Sequence, residues 1–160
     1  MADIESLLKR LVENHVKFVI VGGYAAMAHG ASLVTQDMDV CCSFSEENLL
    51  RIQASIADLH PVHRMTPARL PLDLARGRCG SLKNLYLSTD IGQLDCLGAI
   101  TGIGDYQVVR SQSEEMTLAF GTCRILTVEA LIRSKSALGR DRDREAVLQL
   151  RAVAERKSKA

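Results

Sequence analysis

A chain of 160 residues that is 47% hydrophobic and 24% charged, with a net charge of +1, has the composition of a globular domain with one sizeable core. Three Phe, three Tyr and no Trp are too few aromatic rings for a base-stacking single-strand binder. No apolar run approaches the ~20 residues of a membrane span, and Asp3 and Glu5 near the start are unlike a secretory leader. The expectation is a cytoplasmic protein without membrane contact, a single domain over residues 1–160. The residue pattern carries no signal for an oligomeric state. Cys41, Cys42, Cys79, Cys96 and Cys123 show no C-x-x-C spacing and read as small buried apolar residues, with no disulfide and no structural metal.

The first predicted element is a helix over 3–14, capped by Asp3, with Ile4, Leu7, Leu8, Leu11 and Val12 on one stripe. Residues 17–21 are a strand apolar on both faces and therefore central. It stops at Gly22-Gly23, where a short Ala-rich helix over 24–29 begins. His29 ends that helix, either capping its last carbonyls or approaching a ligand. A second strand runs over 37–44. Its period of two puts Asp37 and Asp39 on the same face, where they repel one another unless a cation lies between them. Mg²⁺ suits that position, being a hard ion that takes one or two carboxylates plus substrate phosphates. The two glycines let backbone N–H groups approach phosphate at a helix start. A phosphate cradle beside a metal site points to phosphoryl or nucleotidyl transfer.

Ser45 then caps a helix reaching about Leu59. Residues 60–80 hold all three prolines, two histidines, four arginines and one acid, Asp73. They read as a long irregular connection with a short strand near Val62. It is either a plain surface loop or a basic segment that holds a triphosphate or an acceptor. Strands over 82–88 and 93–97 are joined by a turn at 89–92. Asp95 lies inside the second of them, where a charge needs a partner; a metal shared with Asp37 and Asp39 would supply one. An edge strand is expected over 106–110 and a last hairpin about Gly121. A helix from Thr127 to Leu138 follows, with Lys135 on the same face as Val128, Leu131 and Leu138. That lysine either snorkels or reaches an anion. Gly139 ends the helix, and another covers 140–156. Residues 133–160 carry nine basic and four acidic residues, +5, leaving −4 for the rest. This basic helical segment, from about 127 to 157, either attracts RNA or nucleotide or is a solvated terminal helix.

The ordered set Gly22-Gly23, then Asp37-Met38-Asp39, then Asp95 on a later strand resembles the polymerase-beta-like nucleotidyltransferases. Among them it is most similar to the small bacterial, AbiEii-toxin-like branch. The resemblance implies an α/β fold: a mixed, mostly antiparallel sheet with helices packed mainly on one side. It implies an enzyme that moves an NMP from an NTP to a hydroxyl on an RNA end such as tRNA, a protein or a small molecule. Two Mg²⁺ ions, or Mn²⁺, would be held by Asp37, Asp39 and Asp95. Gly22, Gly23, Tyr24, Thr35 and Lys135 would bind the nucleotide, with Lys135 also among the catalytic residues. An acidic residue after the lysine helix, Asp141 or Asp143, completes the pattern. The departure is Gly23, where larger families carry serine. The alternative is a catalytically weak nucleotide-binding or partner-binding module, such as a toxin–antitoxin component.

Overall fold

The computed structural model describes residues 2–159. Helix α1 (Ile4–Glu13) starts where the Asp3 carboxylate accepts hydrogen bonds from Ser6 N at 3.0 Å and Ser6 Oγ at 2.7 Å. It buries Leu7, Leu8 and Leu11 completely. Strand β1 (Phe18–Val21) is buried along its whole length and leads directly into α2 (Gly22–Ala28). Strand β2 (Asp37–Cys42) and helix α3 (Glu46–Ile56) follow; Ser45 Oγ accepts from Asn48 N at 3.3 Å at the start of α3. A single 3-10 turn, Ala57–Leu59, ends the helical run.

The chain next forms β3 (Val62–His63), β4 (Asn84–Thr89) and β5 (Gly92–Leu97). Two short strands, β6 (Ala99–Ile100) and β7 (Gly104–Asp105), make a separate ribbon. Helix α4 (Tyr106–Ser111), the hairpin β8 (Ser113–Leu118) and β9 (Gly121–Leu126), and helices α5 (Val128–Leu138) and α6 (Asp141–Ser158) complete it.

The main sheet has the order β3-β4-β5-β2-β1-β9-β8. Pairs β1–β9 and β2–β5 are parallel and the other four are antiparallel. The expected α/β class, with a mixed and mostly antiparallel sheet, is therefore the observed one. Strand alternation assigns Ile20, Met38, Val40, Leu85, Leu87, Leu94 and Cys96, all buried, to one face. Helix α1 packs across β9, β2 and β5. Burial of this layer stabilises the fold at about 25 cal/mol per Å² of apolar surface removed from water. Asp39, Asp95 and Tyr86 fall on the opposite face.

One expectation is overturned. Residues 106–111 are helical rather than an edge strand, because Asp105 caps them: its carboxylate accepts from Val108 N at 3.2 Å. Val109, fully buried, anchors that turn to the core. All five cysteines are free and buried. Among the described residues no helix is long and apolar enough to cross a membrane.

Candidate active site

The turn from β1 into α2 demands glycine at its first position. Gly22 has φ +70°, and a Cβ there would collide with Asp39 Oδ2 and lie 3.0 Å from Asp39 Cβ. Gly23 is conformationally ordinary, but a Cβ would stand 3.3 Å from both Cβ and Oγ1 of Thr35. Thr35 Oγ1 in turn donates to Asp37 O at 3.2 Å, bracing the entry to β2. The backbone of the turn, the Asp39 carboxylate and the Thr35 hydroxyl are thus pressed together.

Strand register then builds the site sideways. Val21 pairs with Asp39, Asp39 with Asp95, and Asp95 with Tyr86, so all four share one face. Asp37 lies two residues earlier on β2, opposite Gln93. Burial pushes the Asp39 carboxyl up to about 6, and the Asp95 and Asp37 charges add to the shift. Asp95 is also raised by burial, opposed by its contact with Arg64. That contact is direct, Arg64 Nη2 donating to Asp95 Oδ2, with side chains only 19% and 11% exposed. Asp95 Oδ1 and Arg64 Nε are both buried without a hydrogen-bond partner. Among the described residues, no group of three or more His, Cys, Asp or Glu is placed to hold a metal ion. Asp39 and Asp95 are brought face to face; Asp37 is not closed around the same point.

A cavity of about 540 Å³ opens in front of this face. Gly22, Gly23, Thr35 and Asp39 form one wall. The lining also includes Leu131, Ser134 and Lys135 of α5 and Arg140, Arg142 and Asp143 at the start of α6. Burial lowers the Lys135 ammonium from its ordinary range, against the pull of Asp143 and Asp39. Of the nucleotide-binding candidates, Gly22, Gly23, Thr35 and Lys135 line the cavity, whereas Tyr24 is half-buried against the core outside its lining. Asp37 and Asp95 also lie outside the lining.

Of the two acids weighed in α6, Asp143 is the one at the cavity. It is buried and accepts from Arg140 Nε at 2.5 Å, Nη2 at 3.1 Å and N at 3.2 Å. Asp141 instead pairs with Arg144 on the surface. His29 lies at a structural junction: Nε2 bonds Leu126 O at 2.8 Å and Nδ1 receives Lys157 Nζ at 2.8 Å. The residues that sequence reasoning missed are Arg64, Tyr86 and Arg142. Arg64 was one of four arginines in an irregular stretch, and only its position after β3 singles it out.

No protein-family model matches the chain, and no curated protein matches it in sequence. Solved structures do resemble it. The solution structure of the antibiotic-resistance factor ANT(2'')-Ia is 18% identical, with a TM-score of 0.58 over 95% of this chain and 80% of that one. A crystal structure of ANT(2'')-Ia with adenylyl-2''-tobramycin is 19% identical, with a TM-score of 0.50 over 81% and 70%. A Thermotoga maritima protein classed provisionally as a nucleotidyltransferase is 14% identical, with a TM-score of 0.57 over 90% and 87%. The cavity lined by Gly22, Gly23, Asp39 and α5 is therefore set in a fold shared with these structures.

Proposed function

We propose that this protein is a nucleotidyltransferase that moves an NMP from an NTP to a hydroxyl acceptor. The observation that carries the reading is the register of Asp39 against Asp95 beneath a cavity lined by glycine backbone and Lys135. Two like charges held together in a partly buried site are costly without a cation. The donor set fits Mg²⁺ or Mn²⁺: Asp39 and Asp95 offer hard oxygens, one of them buried and unpartnered. Such ions need only one or two carboxylates when phosphates complete the shell. Asp39 and Asp95 would hold the ion, with Asp37 serving a second one. Bound there, the metal would offset triphosphate charge and make the α-phosphorus more electrophilic.

The chain's own residues do the rest. The backbone at Gly22 and Gly23 receives phosphate oxygens, and Thr35 adds a hydroxyl beside Gly23 where the serine of larger families is absent. Lys135, partly desolvated, interacts more strongly with the departing pyrophosphate than an exposed lysine would. The Gly22-Gly23 form supports placement in the small AbiEii-toxin-like branch. The resistance factor carries an adenylylated aminoglycoside in its complex. Here the acceptor class is an RNA end, a protein or a small molecule.

The test is incubation of the protein with each NTP labelled on the α-phosphate, Mg²⁺, and acceptors of those three classes. Transfer of label with pyrophosphate release, lost in Asp39→Ala, is the expected result. Tight nucleotide binding with no transfer to any class favours the second reading, a nucleotide-binding module, for which the Arg64–Asp95 contact is the supporting observation.

A further inference from the structure

The Arg64–Asp95 pair lacks the form of a permanent structural ion pair. Arginine and a carboxylate commonly engage through two parallel hydrogen bonds. Here Nη2 alone reaches Oδ2, while Nε of Arg64 and Oδ1 of Asp95 are both buried and unpartnered. The remaining nitrogen, Nη1, has only the Met65 sulfur at 3.3 Å, a weak acceptor. Buried polar atoms are nearly always satisfied, so two orphans in one contact mark an arrangement completed by something else.

The surroundings indicate what completes it. Arg64 N donates to Tyr86 O at 3.0 Å, fixing the backbone at the sheet edge. The guanidinium lies 5.5 Å from the Tyr86 ring centroid, and such a face holds a cation without tying it to one rotamer. Asp95, by contrast, is fixed on an interior strand opposite Asp39. Of the two, the arginine, reaching in from just beyond edge strand β3, is the partner that can be displaced.

We infer that Arg64 is a positioning residue: it is the resident counter-charge of Asp95 in the metal-free protein and yields that carboxylate to an incoming divalent cation. The inference rests on the metal site proposed above. A divalent ion on Asp39 and Asp95 would lie close to the guanidinium, and like charges at that range repel. Metal and arginine therefore compete for Asp95. By linkage the competition is reciprocal: the arginine weakens metal binding by the same factor that the metal weakens the ion pair. The arrangement keeps a buried carboxylate beside a half-buried one compatible with folding before the metal arrives.

Mn²⁺ binding, measured by electron paramagnetic resonance on the purified full chain without nucleotide, tests this. Arg64→Gln is expected to bind Mn²⁺ about tenfold more tightly than wild type, equivalent to ~1.4 kcal/mol. Arg64→Lys, which keeps the charge, and Arg69→Gln, from the same segment, are expected to stay within about threefold of wild type, less than half that effect on a logarithmic scale. The Arg64→Gln gain must vanish in the double variant with Asp95→Asn. Loss of Mn²⁺ binding in Asp39→Ala, with no gain in Arg64→Gln, overturns the inference and leaves the metal site standing. Unchanged binding in Asp39→Ala removes the metal site and the inference together. If Arg64→Gln does not fold, the wild type decides: the Arg64 Nε–H resonance must shift when Mg²⁺ is added. An unmoved resonance at saturating Mg²⁺ overturns the role.

Discussion

Asp39 on β2 and Asp95 on β5 stand directly opposite one another across a parallel strand pair. Burial, with the Asp95 charge adding to it, holds the Asp39 carboxyl at about 6 rather than near 3.8. The unfolded chain releases this proton at the ordinary carboxylate value, whereas the folded chain keeps it two units longer. Folded protein then binds more protons between these limits, so stability must fall as pH rises through them. For metal-free protein we expect this group to remove on the order of 2 kcal/mol of stability between about pH 4 and pH 7. Asp39→Asn should flatten that part of the profile and be the more stable protein at pH 7. Denaturant midpoints across this range check it; parallel profiles for the two proteins would contradict it.

Gly22 is constrained by both conformation and space. Ala in the left-handed region costs about 1–2 kcal/mol, and its methyl must also displace the Asp39 carboxylate. Gly22→Ala should lose at least about 2 kcal/mol of stability and lose metal-dependent nucleotide binding with it. Gly23→Ala meets only the Thr35 side chain at 3.3 Å and should cost less than about 1 kcal/mol, as small strain-limited changes do. Urea unfolding of both variants separates these costs.

Lys135 lines the cavity with its ammonium lowered by burial. Its charge is carried at a cost to folding, so Lys135→Met should unfold at the same temperature as wild type or a higher one. Binding of an NTP with Mg²⁺ should weaken by tenfold or more, equivalent to ~1.4 kcal/mol. Thermal unfolding together with calorimetric titration tests both halves. A variant that loses stability while binding normally would make Lys135 a packing residue.

Asp143 takes three hydrogen bonds from Arg140 at the first turn of α6. Asp143→Ala should cost about 1–2 kcal/mol, the usual worth of such a cap. Because the same change removes a carboxylate from the cavity wall, nucleotide binding should persist or strengthen. A variant with normal stability and no binding would move Asp143 into the binding machinery.

Much of the frame was legible in the chain because it rests on local chemistry. Asp3, Ser45 and Thr127 accept the cap hydrogen bonds expected of them, and Gly139, with φ +66°, closes α5. The apolar run of β1 and the glycines after it announced a central strand and a tight turn. Asp105 is an equally local cap, yet the apolar pattern of Tyr106, Val108 and Val109 fits a strand as well and masks it. The site was less legible where it depends on register. Asp95 drew notice as a charge inside an apolar strand. Its partner did not, since nothing local distinguishes Arg64 from Arg69, Arg76 or Arg78; the pairing of β3 with β4 makes the distinction. Tyr24 follows the glycines in sequence, but the turn of α2 carries it away from the cavity.

Calorimetric titration of ATP, GTP, CTP and UTP into wild type and Asp39→Ala, each with and without Mg²⁺, tests the central claim most directly. The account predicts Mg²⁺-dependent binding of at least one nucleotide to the wild type and none to the variant, with both proteins equally folded. Binding that survives Asp39→Ala unchanged would contradict it.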